Sequence, residues 1–194
     1  MTEDEVIAAT QAWLDAAVIG LNLCPFAGAA RANDRIRFVV STARNSEALR
    51  DDLVDELRLL ASADPDDIET TLLIHPHVLG DFLDFNDFLD VADAAIAELG
   101  LEGEFQVASF HPDYQFAGTE PDDVENCTNR SPYPTLHLLR EESIDKAVDA
   151  FPETERIYET NMRTMQTLGA EGWASLQARC RADATDAGPD EPRH

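Results

Sequence analysis

The feature that most constrains the fold is the alternation of strand-like and helix-like apolar patterns along the chain. Residues 36–40, 70–74 and 105–110 are short apolar segments with the length and residue types of β-strands. Both connections between them carry apolar residues at the three-and-four spacing of an amphipathic helix. Helical crossovers favour parallel pairing of the strands that they join. The order therefore predicts an α/β fold in which the first three strands are parallel.

A fourth strand and a helical C-terminal third complete the predicted architecture. Residues 135–140 have a strand pattern that is compatible with antiparallel pairing, and helical spacing returns from Ser143 onward. A chain of 194 residues is long enough for one substantial core but short for two domains. We therefore predict a single α/β domain over residues 1–181, with a mixed four-stranded sheet flanked by helices. Residues 182–194 are predicted to form a disordered acidic tail.

The balance of charged residues excludes one class of partner. The chain has 39 Asp and Glu residues against 14 Lys and Arg residues, which gives a formal net charge of -25. Such a surface repels a phosphate backbone, so we predict no nucleic-acid partner. The acidic residues recur along the whole sequence, as in proteins adapted to concentrated salt, where screening weakens their mutual repulsion. We therefore predict a halophilic source rather than an acidic docking surface.

The chain has no pattern typical of membrane or disulfide-stabilised proteins. No apolar stretch reaches the roughly 18 residues that a membrane helix needs, and the first residues are acidic where a signal peptide is basic. The three cysteines, Cys24, Cys127 and Cys180, are odd in number and include no Cys-x-x-Cys pair. We predict a cytoplasmic protein without a membrane partner. The sequence does not determine the oligomeric state.

Three histidines follow predicted strands and form the first candidate site. His75 and His77 come directly after the second strand, and His111 comes directly after the third. Residues two apart in an extended chain project to the same side, and open α/β sheets bind ligands at the carboxyl ends of their strands. These imidazoles are therefore candidate ligands for a divalent transition metal. A strand-ending turn with partly exposed rings is the alternative, because no diagnostic metal-binding spacing is present.

The second candidate site lies in the polar, turn-rich segment from residue 113 to residue 134, which is long for an idle connection. We predict catalytic roles for His111, Asp113, Tyr114 and Cys24. We predict ligand contacts from Asn129, Arg130, Ser131, Tyr133 and His137. The Arg130 guanidinium is suited to a carboxylate or phosphate, which predicts a small, anionic ligand. A salt bridge from Arg130 to a neighbouring acidic side chain is the alternative.

Cys24 has two opposed interpretations. It follows the first predicted helix, and the carboxyl end of a helix raises the pKa of a thiol, which favours a small buried side chain over a nucleophile. A histidine brought close by the fold would reverse this by forming a Cys-His pair. A redox-sensing thiol is a further alternative.

Three long motifs resemble those of a known family. Residues 22–27 (NLCPFA), 108–118 (ASFHPDYQFAG) and 128–141 (TNRSPYPTLHLLRE) are similar to signatures of the bacterial family catalogued as domain of unknown function 1415. The resemblance extends from the first helix through Leu168. It implies no activity and transfers no catalytic residue. Most of the residues selected above on chemical grounds lie within these motifs.

The sequence leaves two functions open. The first is a small-molecule enzyme with a histidine-rich site at the strand ends, in which a metal is one candidate cofactor. The second is a non-catalytic domain that binds a metabolite or a protein through the same loops. Whether the chain is an enzyme is therefore undecided by its sequence.

Overall fold

The sheet occupies the middle of the fold. A computed structural model describes residues 1–150 and 155–186, except for the side chains of residues 147, 150, 155 and 182–186. Within these ranges the sheet has four strands. They are β1 (Ile36–Val40), β2 (Thr70–Ile74), β3 (Phe105–Phe110) and β4 (Thr135–Arg140). The mixed α/β class and the four-stranded mixed sheet are therefore confirmed.

The strand order differs from the simplest reading of the sequence. The order is β1-β2-β4-β3, with β1 and β2 paired in parallel and β4 antiparallel to both β2 and β3. A parallel group of the first three strands is not confirmed, because β3 pairs with β4 and not with β2. Because β4 is antiparallel to both of its neighbours, β1, β2 and β3 run in the same direction. Their carboxyl ends share one edge of the sheet.

Two long helices cover one face of the sheet. They are α3 (Ser46–Ser62) and α4 (Phe82–Glu98), which begin after side-chain caps from Asn45 and Asp81. Leucines of α3 and phenylalanines of α4 pack on the side chains of β2 and β4 that point toward these helices. Fully buried members of this core include Leu49, Leu53, Leu57, Leu60, Leu73, Phe85, Leu136 and Leu138. This face is densely filled.

The opposite face is covered by less regular elements. The helix α1 (Glu3–Trp13) continues into a π-helical segment (Leu14–Ile19), and α2 (Ala27–Ala32) has only six residues. The helix α5 (Glu141–Ala150) follows β4 directly, and α6 (Glu155–Asp186) bends at Gly169, which has a φ of 67°. Buried side chains here include Trp13, Met165, Trp173 and Leu176. This irregular layer positions the site described below.

The last helix overlaps the beginning of the predicted tail. The helix α6 reaches Asp186, so it extends beyond residue 181, where the sequence predicts the tail to begin. Residues 187–194 of that tail lie outside the described residues. No helix in the described part of the chain has the length and apolarity required to cross a membrane.

Candidate functional site

His75 and His111 lie on the densely filled face and are fully buried. Both rings pack against Phe85, with centroid distances of 5.6 Å and 5.1 Å. His75 Nδ1 donates to the Val78 carbonyl at 3.1 Å, and His111 Nε2 donates to the Leu79 carbonyl at 3.2 Å. These bonds assign the tautomers. Both rings therefore serve as packed parts of the core that tie the turn after β2 to the sheet.

Burial keeps these two imidazoles uncharged near neutral pH. Desolvation lowers the pKa of His75 to about 4 and also lowers the pKa of His111. His111 Nδ1 accepts the backbone N–H of Asp113 at 3.0 Å, so both of its nitrogens are satisfied. His75 Nε2 is buried and has no hydrogen-bond partner among the described residues.

The predicted three-histidine metal site is not assembled. Residues 76 and 77 form a turn instead of continuing the strand, so the alternation that would align His75 with His77 does not apply. His77 is exposed, whereas His75 and His111 are enclosed. Across the described ranges, no group of three or more His, Cys, Asp or Glu side chains is arranged to hold a metal ion. The geometry of the predicted ligands does not fit a metal.

The predicted ligand-binding residues of the long loop mainly hold the loop itself. Arg130 donates from Nε to the Tyr114 carbonyl at 3.2 Å and from Nη2 to the Pro121 carbonyl at 2.7 Å. Asn129 Nδ2 donates to the Ser109 carbonyl at 3.3 Å. Arg130 thus directs at least two of its N–H groups at the backbone of its own loop. It organises backbone that has no partner in a strand or helix.

The remaining loop candidates have structural surroundings as well. Ser131 Oγ donates to the Tyr133 carbonyl at 2.6 Å, and burial raises the pKa of the Tyr133 phenol. Tyr114 packs between Phe82 and Phe116, with ring centroids 5.2 Å and 5.0 Å away. Asp113 is exposed, and its backbone N–H donates to His111.

A cavity of about 350 Å³ lies on the opposite face, between the sheet and α1, α2 and α5. Its volume is at the lower end of the roughly 300–1,000 Å³ typical of small-molecule sites. The wall is mostly apolar and is formed by Trp13, Leu14, Val18, Phe26, Ala27, Ala30, Ile36, Leu72, Ala108, Phe110, Leu139 and Ile144. Polar residues in the lining are Cys24, Glu69, Thr70, Gln106, His137, Arg140 and Ser143. Such a mixture is typical of a site for a mainly apolar ligand.

His137 and Thr70 form the polar centre of this cavity. Strand β4 alternates, so Leu136 and Leu138 face the dense core while His137 faces the cavity. His137 Nε2 lies 2.8 Å from Thr70 Oγ1, which in turn donates to the Leu138 carbonyl at 2.6 Å. Desolvation lowers the pKa of His137 to about 4. The imidazole is therefore neutral at physiological pH.

The two charged residues in the lining already have partners. Nη2 of Arg140 lies 2.6, 3.0 and 3.1 Å from the carbonyl oxygens of Leu60, Ala63 and Ile68. Glu69 Oε2 lies 3.3 Å from Nη2 of Arg35. Arg140 therefore closes the C-terminal end of α3, and Glu69 is part of an ion pair beside the start of β2.

The structure brings together two residues that the sequence assigned to different roles. Cys24 and His137 line the same cavity, whereas His75 and His111 lie across the sheet from it. Sequence reasoning missed Thr70, Gln106 and Ser143 in this lining. The available signal was a polar residue, His137, between the apolar residues Leu136 and Leu138. Its partner Thr70 follows only from the pairing of β4 beside β2.

Comparison with known proteins identifies a family but no characterised relative. A family model described as "Protein of unknown function (DUF1415)" matches residues 5–175. That range includes every residue of the cavity lining. No curated protein and no solved structure matches the chain.

Proposed function

The chain belongs to the DUF1415 family, and from the geometry of its site we propose that it binds a small, mainly apolar molecule in the cavity between α1 and the sheet. The observation that supports this most directly is the part-buried His137–Thr70 pair set in an apolar wall. We refer to this space, defined by the lining residues given above, as the sheet cavity.

The size of the sheet cavity argues against a packing defect. Protein interiors are close-packed, and voids much larger than a water molecule are few. An imidazole in an apolar wall also costs desolvation free energy unless its nitrogens find partners. One nitrogen of His137 has a partner in Thr70, and the other has no hydrogen bond to a described residue. A bound molecule would both fill the space and complete the hydrogen bonding.

The sheet cavity also supports a second candidate function, a small-molecule enzyme. The Cys24 thiol and the His137 imidazole line the same space, and a neutral imidazole is a proton acceptor. In this version His137 takes a proton from the occupant or from Cys24. A metal-dependent version has no support from the arrangement of the described side chains. Turnover lost in both Cys24→Ser and His137→Leu, with binding retained in Cys24→Ser, would favour the enzyme.

We also propose that the protein works in a salt-rich cytoplasm. The support is the net charge of -25, which is tolerable where screening is strong over a few ångströms. The same charge makes a nucleic-acid partner unfavourable.

The binding proposal is tested by filling the sheet cavity. Ala108 lies on β3 opposite His137 and lines the cavity, so Ala108→Leu places extra carbons inside it. Binding of short alcohols such as cyclohexanol and benzyl alcohol is measured by saturation-transfer NMR and calorimetry in high salt. We expect Ala108→Leu to weaken binding at least about tenfold, since the new side chain occupies the space of the probe.

The matched control is Ala94→Leu, which makes the same change on the exposed side of α4, across the sheet. We expect this variant to bind the alcohols as the unmodified protein does. Equal binding by Ala108→Leu and Ala94→Leu would place the alcohols elsewhere and refute the proposal.

A further inference from the structure

The hydrogen bonds at His137 determine which polar group an occupant of the sheet cavity must carry. Thr70 has one hydroxyl hydrogen, and at 2.6 Å the Leu138 carbonyl takes it. Thr70 Oγ1 therefore meets His137 as an acceptor, so the imidazole hydrogen lies on Nε2. The uncharged ring then has a lone pair on Nδ1. No described residue donates a hydrogen bond to that nitrogen.

The charges around the cavity do not favour a charged occupant. The Arg140 guanidinium is bound to three backbone carbonyls at the end of α3, and Glu69 is paired with Arg35. A carboxylate entering the cavity would meet a lone pair on His137 and the Glu69 carboxylate, while Arg140, the cation in the lining, directs Nε and Nη2 at backbone carbonyls. An ammonium group would lose its hydration in a mainly apolar space, where a neutral imidazole compensates little of that cost.

The apolar wall of the cavity determines what the remainder of the occupant must be. Aromatic and aliphatic side chains from α1, the π-helical segment, the strands and α5 make up most of the lining. The polar residues Glu69, Gln106, Arg140 and Ser143 come from the sheet edge where β2 and β3 begin and β4 ends. The lining therefore suits a molecule with an apolar body that reaches His137.

We propose that the sheet cavity selects an uncharged, mainly apolar molecule that donates one hydrogen bond to Nδ1 of His137, as an alcohol or an amide N–H does. This rests on the proposed binding function and names the chemical class of its ligand. It replaces the anionic ligand expected from Arg130, whose guanidinium is engaged elsewhere.

The test compares four probes of one shape. They are cyclohexylmethanol, its methyl ether, cyclohexanecarboxylate and cyclohexylmethylamine, titrated calorimetrically at neutral pH in high salt. The alcohol and the ether differ in the donor, while the acid and the amine add charge of each sign. We expect the alcohol to bind about fivefold to tenfold tighter than the ether, the factor that one neutral hydrogen bond supplies. The carboxylate should bind more weakly than either.

Two variants on one strand isolate the role of Thr70. Thr70→Val removes the acceptor that places the hydrogen on Nε2, so the imidazole can turn or change tautomer, and the preference for alcohol over ether should fall toward one. Thr71→Val is the matched control, because Thr71 faces the other side of the sheet and its hydroxyl has no hydrogen-bond partner among the described residues. It should retain the preference. Nitrogen-15 NMR of the unmodified protein should show the hydrogen of His137 on Nε2.

The outcomes separate this inference from the binding proposal. If no probe binds the unmodified protein, the binding function fails and the inference with it. If alcohol and ether bind equally, if the carboxylate binds best, or if NMR places the hydrogen on Nδ1, the cavity still binds apolar molecules but the donor rule is wrong.

Discussion

The two faces of the sheet use histidine in different ways. Beneath α3 and α4, His75 and His111 are enclosed by aromatic side chains and bonded to the backbone of one turn. On the opposite face, His137 is bonded to Thr70 and borders an open volume. All three rings have lowered pKa values through burial. Burial and a shifted pKa are therefore shared, and the adjoining space is what distinguishes the candidate site.

The difference follows from the covering layers. The helices α3 and α4 are both 17 residues long and side-chain capped, so their apolar stripes fill the space above the sheet. The layer opposite combines a π-helical segment, a six-residue helix and a bend, and such segments pack less regularly. Leu14 and Val18 of the π-helical segment line the sheet cavity. Segments of this kind are frequent at functional sites.

The largest expected effect tests whether the two layers really differ in packing. Leu53→Ala removes a fully buried side chain from α3 and should lower the free energy of unfolding by about 3 kcal/mol. Leu139→Ala enlarges a cavity that is already present, so we expect it to lower the free energy of unfolding by only about 1 kcal/mol. Denaturant unfolding in high salt measures both. Equal losses would show that the cavity face is packed as tightly as the other.

An intermediate effect concerns pH. The pKa of His75 is about 4 in the folded protein, below its ordinary value of 6.5, so the unfolded chain binds more protons between these pH values. Stability is therefore complete above about pH 6.5 and falls as the pH drops toward 4. For a fully buried ring the loss is at most about 3 kcal/mol.

His75→Phe should reduce the acid sensitivity, because phenylalanine packs on Phe85 without a titrating group. His77→Phe is the control, since His77 is exposed and should leave the pH profile unchanged. Unfolding curves at several pH values give the comparison. The same steepness for His75→Phe and the unmodified protein would assign the sensitivity to other groups, such as His111 or His137.

The smallest expected effect tests whether Arg130 belongs only to the loop or also to the sheet cavity. Arg130→Met leaves the carbonyls of Tyr114 and Pro121 without their donor and should cost about 1–2 kcal/mol of unfolding free energy. Binding of alcohols in the sheet cavity should be unchanged, because Arg130 is not in its lining. A variant that is stable but no longer binds would return Arg130 to the functional site.

Local patterns predicted the elements better than their arrangement. The four strands lie where their apolar runs predicted, because β-strand length and residue type are local properties. The position of β4 between β2 and β3 depends on which edges the helices leave open, and no periodicity encodes it. That placement is what brings Thr70 to His137. Family membership was predictable from the motifs and is confirmed.

The strand-end histidines show the same limit at a finer scale. Their position after β2 and β3 was predicted correctly, and the convergence of carboxyl ends was reasonable. The chain turns at once after His75, with Leu79 at a φ of 56°, and this fixes where each ring goes. Turn geometry of that kind depends on the packing of α4 above it. Residue type and spacing alone therefore suggested a metal site that the described side chains do not form.

The position of β4 between β2 and β3 also determines the order in which the strands can pair during synthesis. The parallel pair β1 and β2 is complete once residue 74 has left the ribosome, but β3 has no neighbour in the sheet until residues 135–140 follow it. Until then β3 has no strand partner, and Phe105, which is buried in the folded protein, lacks its neighbour in β4. Pairing that depends on late, distant segments slows folding and prolongs exposure of apolar surface.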